Sequence, residues 1–146
     1  MATLTKARTV LFPSGTIKKL SFPLPATFTA YDGGNACFDS ANPGAVYPAV
    51  GGSNTLSPIG QFSCPTGSVV GSSTAMVGVI LAREVNLVYC DNATGGGAIT
   101  VSNLGTNVYL LDNTAVTTTA GSNSHSGRVW IVNAGGTGQI GVEFPF

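Results

Sequence analysis

Reactive side chains are few in this sequence: three cysteines, one histidine and six carboxylates. Cys37, Cys64 and Cys90 are widely separated, and no Cys-x-x-Cys occurs. A zinc cage wants four ligands at short paired spacings, so the pattern predicts no metal site. It predicts reduced thiols serving as small core residues, with one disulfide left open under oxidising conditions. His125 stands between Ser124 and Ser126, with Asp112 upstream, which are the residue types of a hydrolytic triad. No Gly-x-Ser-x-Gly elbow accompanies them, and the Gly/Ser/Asn context predicts a solvated loop histidine.

The carboxylates Asp32, Asp39, Glu84, Asp91, Asp112 and Glu143 are scattered, with no glycosidase couple and no calcium-loop spacing. Gly136-Thr-Gly-Gln-Ile-Gly141 matches a dinucleotide fingerprint, whose chemistry needs a following helix to hold the pyrophosphate. Only five residues follow Gly141, so the motif is read as a hairpin turn. The triplet Asn92-Ala93-Thr94 has a glycosylation pattern but no secretory segment to make it active. No enzyme, cofactor or small-molecule substrate is expected.

The elements that would position any site are short strands. Runs of β-branched and aromatic residues recur between Gly, Pro, Asn and Ser clusters, and helical periodicity is nearly absent. The expected fold is all-β, a small antiparallel β-sandwich or β-barrel with long loops and an extended N-terminal arm. Strands are expected at 9–12, 17–22, 26–31, 45–50, 75–82, 85–90, 98–101, 107–111, 115–119, 128–132 and 139–144. Asp112-Asn113 reads as the turn of a hairpin joining 107–111 to 115–119. Trp130 is expected on a buried or interfacial face. Residues 33–73 read as surface loops carrying short strands, an insertion-like part of one β domain spanning 31–146.

Only 8% of residues are charged, where about 25% is usual, and the net charge is zero. That balance gives no long-range attraction to nucleic acid or an acidic membrane, and no segment reaches the length of a membrane helix. Lys6, Arg8, Lys18 and Lys19 all precede the first acid, Asp32. Residues 1–30 also hold Pro13, Pro23 and Pro25 between apolar positions such as Val10, Phe12, Ile17 and Phe22. Proline interrupts a ladder, so this segment reads as an extended arm able to reach on the order of 100 Å. A strand of the domain's own sheet remains the alternative. The candidate contact residues are Lys6, Arg8, Val10, Phe12, Ile17, Lys18, Lys19 and Phe22, and strand addition to a partner's sheet edge fits them better than nucleic acid does.

Four stretches carry a family resemblance: Ala75-Met-Val-Gly-Val-Ile-Leu, Asn107-Val-Tyr-Leu-Leu-Asp-Asn, Gly127-Arg-Val-Trp-Ile-Val and Gly138-Gln-Ile-Gly-Val-Glu-Phe. They resemble the strands of small capsid decoration (cement) proteins of tailed bacteriophages. The resemblance implies a non-enzymatic virion protein, made in the host cytoplasm and placed on the outer surface of the capsid. It implies two partners, the major capsid protein and the protein itself as a homotrimer. A carbohydrate-binding β-module and a tail or fibre component of a virion are the alternatives.

Overall fold

Period-two alternation of apolar and polar side chains turns directly into strands. In the computed structural model, which describes residues 19–85, 87–133, 136 and 138–145, regular structure is almost entirely β. The first half contains β1 (Lys19–Pro23), β2 (Thr29–Tyr31), β3 (Asn35–Asp39), β4 (Tyr47–Pro48), β5 (Leu56–Ser63), β6 (Ser68–Val70) and β7 (Met76–Leu81). A four-residue helix, α1 (Ala82–Val85), leads to β8 (Val88–Asn92), β9 (Asn107–Leu110), β10 (Ala115–Thr117), β11 (His125–Val132) and β12 (Ile140–Glu143).

The first half is an open antiparallel sheet in the order β1-β7-β5-β3-β4, flanked by the β2–β6 ribbon. Val77, Val79 and Leu81 of β7 project to one face and meet Phe62 of β5, Ala36 of β3 and the loop residues Leu24 and Val46. Gly60 is required in β5, because a Cβ there would run into the Ile80 carbonyl. The sheet curls until its ends touch, with the Val46 amide donating to the Pro23 carbonyl at 3.0 Å.

The second half closes completely: β10, β8, β12, β11 and β9 form a barrel. Every ladder is antiparallel except β10–β8, which is parallel. Val88, Cys90, Val108, Val116, Val129, Ile140 and Val142 fill the interior. The β9–β10 hairpin turns where Asp112 was expected to turn it. Its Oδ1 accepts the Thr114 and Ala115 amides at 2.8 and 2.7 Å.

The halves are joined by apolar and polar contacts. Cys37, Ala49 and Leu56 from the sheet pack with Leu110 from the barrel. Ser124 Oγ, just before β11, donates to the Ser53 carbonyl at 2.6 Å and accepts the Leu56 amide at 3.0 Å. Asn35 is fully buried; its amide donates to the Asn113 carbonyl at 2.6 Å and its side chain faces the Cys90 sulfur at 3.6 Å.

The all-β expectation holds, and several local expectations do not. Residues 33–73 are not mainly surface loop: they supply β3 and the eight-residue β5, which sits in the middle of the sheet. Their Gly, Pro and Ser content hid strands whose neighbours need small residues for close approach. Residues 98–101 form no strand; two 3-10 turns, Gly95–Gly97 and Val101–Asn103, occupy the connection instead. Of the expected arm, residues 19–30 lie in the folded body as β1, the buried Leu24 and the start of β2, while 1–18 lie outside the described residues. The segment 75–88 gives a buried strand, as expected, and then the short α1.

Candidate interaction surfaces

The residue types that suggested hydrolysis are occupied elsewhere. Asp112 caps the hairpin, and Ser124 stitches the two halves together. His125 opens β11 instead of lying in a loop, and its ring meets Tyr109 edge-on at 5.9 Å. Ser126 Oγ is buried without a hydrogen-bond partner. Among the described residues no cluster of three or more His, Cys, Asp or Glu could hold a metal ion, and no helix is long and apolar enough to cross a membrane.

All three cysteines are buried free thiols. Burial pushes Cys37 up to about 12, with the nearby Asp39 charge and Cys90 adding to the shift. Burial likewise pushes Cys90 up to about 12, against a partly offsetting hydrogen bond from Asn35. Cys64 is raised by burial and by Asp32. Thiols held in this form are poor nucleophiles and poor metal ligands.

Two surfaces combine exposure with apolar chemistry. The first is the outer wall of the barrel along β11, β12 and β8. The β11–β12 register slips between Val129 and Ile131, because Val129 faces Val142 and Ile131 faces Gly141. Trp130 is the extra residue of this bulge. Trp130 stands 48% exposed while Val129 beside it is fully buried, the same alternation that exposes Arg128. Gly141 lies between Ile131 and Tyr89 in the ladders, and a Cβ there would press on the Ile131 side chain. Tyr89 is exposed on the next strand, and Arg128 stands exposed opposite Glu143.

The second surface is the mouth of the open sheet. Phe22 of β1 and Phe38 of β3 meet edge-on at 5.5 Å across the curl. Around them opens a slot of about 290 Å³ lined by Leu20, Ile59, Leu81 and Arg83, continuing into a second recess of about 520 Å³ beside Asp39 and Pro43. Leu20 is 43% and Phe38 42% exposed. Asp39 accepts from Thr55 Oγ1 at 2.6 Å, Asn42 Nδ2 at 2.8 Å and the Ala41 amide at 3.0 Å, and these bonds hold its carboxyl below the usual range. Arg83 contacts Glu84 at 3.6 Å; the arginine side chain is 65% exposed and the glutamate 7%.

Of the expected contact residues, Lys6, Arg8, Val10, Phe12, Ile17 and Lys18 lie outside the described residues. Lys19 is exposed at the start of β1, and Phe22 lines the slot. Leu20 shares the alternation of Phe22 and was readable from it. Phe38 lies in the Gly/Pro/Ser-rich stretch whose strands the sequence conceals, and the outward Trp130 follows the alternation of Arg128 and Val129. No protein-family model matches the chain, and neither a curated protein nor a solved structure matches it.

Proposed function

We propose that this is a structural protein that decorates and stabilises the outer surface of a phage head, bridging subunits of the major capsid protein. The observation that carries the reading is the outward Trp130 on a barrel wall that also exposes Tyr89 and Arg128, in a chain with only 8% charged residues and no net charge. Trp, Tyr and Arg dominate the energetics of protein interfaces. A neutral wall packs against a shell or against its own copies, as in the expected homotrimer, without charge repulsion. Many copies each adding a modest interface then act as multivalent staples. Lys6 and Arg8 are further capsid contacts in this reading.

The test is to mix the purified protein with heads lacking it. Saturable binding at a fixed ratio to the major shell protein is expected, with Trp130→Ala weakening it at least tenfold and leaving the melting temperature within a degree or two. Removing residues 1–18, and not 1–30, tests the arm without cutting β1. Indifference of the intact protein to heads sinks the proposal. A carbohydrate-binding module is the second reading, favoured by the same exposed Trp130 and Tyr89. Retention on a glycan array without head binding selects it.

A further inference from the structure

Among the described residues β1 is an edge strand, with β7 on one side and only the Pro23–Val46 bond on the other. Edges of this kind are normally blunted or covered, because their free N–H and C=O groups template further pairing. Here the edge borders an apolar recess. Leu20 and Phe22 point from β1 into the slot, Phe38 closes it from β3, and Ile59 and Leu81 form its floor. The gap lies where a curled sheet lacks a stave.

The charges around the gap are divided by end, with Lys19 and Arg83 at one end and the carboxylate of Asp39 at the second recess. Lys19 begins β1 and pairs in register with Ile80, three positions before Arg83, so both cations fall at the same end. Glu84 is buried beneath Arg83, leaving the guanidinium, not the carboxylate, facing an incoming group. Asp39, at the second recess, is already engaged by three donors. Residues 1–18 carry Lys6, Arg8 and Lys18 and no acid, which suits them poorly to a cationic end.

We infer that the slot accepts an extended segment of a partner protein, apolar at alternate positions and carrying a carboxylate, added as an antiparallel strand along β1. Main-chain pairing supplies affinity and the Leu20–Phe22–Phe38 recess selects the side chains. Antiparallel addition brings the segment's C-terminal end beside Lys19 and Arg83, where the carboxylate sits. The inference rests on the assembly reading for a protein partner, and it adds that partner's chemistry.

The probe is the blocked peptide acetyl-Thr-Val-Thr-Val-Thr-Glu-amide, with Gln and Lys analogues at the last position, titrated into the full chain. Saturable amide shifts at Leu20, Phe22 and Phe38 and slowed hydrogen exchange along β1 are expected. The Glu peptide should bind about fivefold more tightly than the Gln peptide and the Lys peptide more weakly still. That preference should shrink in Arg83→Met and, without any variant, in 0.5 M salt (about a 4 Å screening length). Absence of saturable binding, or equal binding of the Glu and Lys peptides, overturns the inference. Binding only after removal of residues 1–18 also overturns it, assigning the slot to the chain's own segment. Heads bound without the peptide leave the phage reading standing and remove the slot; the peptide bound without heads does the reverse.

Discussion

The two halves solve the edge problem of β-structure in opposite ways. The barrel pairs both sides of all its strands and buries Val108, Val116, Val129, Ile140 and Val142 to zero exposure. The sheet curls to the same end but stops short, leaving Leu20 and Phe38 more than two-fifths exposed over a recess. Closure removes edges altogether, whereas an open sheet keeps one available for pairing. The difference separates a scaffold from a surface that still has valence. The barrel presents its apolar group, Trp130, outward from an otherwise finished wall; the sheet presents its own by being unfinished.

The largest expected effect lies in the closed half. Gly127→Val drives a side chain into the Glu143 carbonyl and splits the β11–β12 ladder. A loss of about 3 kcal/mol or more is expected in urea unfolding, against under about 1.5 kcal/mol for Phe38→Ala at the open mouth. Hydrogen exchange sharpens the contrast. Amides of β3 and β5 should lose protection together with those of the barrel, because Leu110 and Ser124 tie the halves. Retained protection in β5 alone would make them independent units.

Ser124→Ala strikes that tie directly. It strands the Leu56 amide and the Ser53 carbonyl, at an expected cost of about 2 kcal/mol. A single melting transition should broaden or split in this variant. Thiol chemistry gives a third comparison. The folded pKa values of Cys37 and Cys90 are raised to about 12, so their contribution to stability is full below pH 9 and declines as pH rises from there toward 12. At pH 8 both should resist iodoacetamide in the folded protein and react fully in urea, since Cys37 lines the seam and Cys90 the barrel.

The smallest effects come from local relief. Thr27 holds a φ of 76° in the turn before β2, a costly conformation for a β-branched residue. Thr27→Gly should raise stability by about 1 kcal/mol by thermal melting. Ser126→Ala removes the unpaired buried hydroxyl of β11 and should gain about 0.5 kcal/mol.

Part of the barrel was legible because β8 and β9 alternate cleanly. Asn107–Leu110 and Ala115–Thr117 flank a turn residue, Asp112, that makes the bonds its type predicts. The sheet was harder. Leu56–Ser63 contains a proline and a glycine, both weak strand formers, and becomes central only because Gly60 lets β7 approach. Register and curl arise from contacts far apart in sequence, such as Val46 with Pro23, so neither the slot nor its lining could be read locally. The exposure of Trp130 follows the alternation of Arg128 and Val129, which the apolar run Val-Trp-Ile-Val obscures in the sequence.

The order of the ladders also sets a timetable for synthesis. All five strands of the sheet lie between Lys19 and Leu81, so it can form once that stretch has left the ribosome. The barrel must wait: β8 needs β12 beside it, with Cys90 opposite Ile140, and its other neighbour, β10, joins it in parallel. One side of β8 therefore stays unpaired while some fifty residues are made, on the order of several seconds at ordinary elongation rates. During that interval the nascent chain carries a completed sheet with an open slot and an unfinished barrel. The earliest surface to be finished is thus the one most able to recruit another strand.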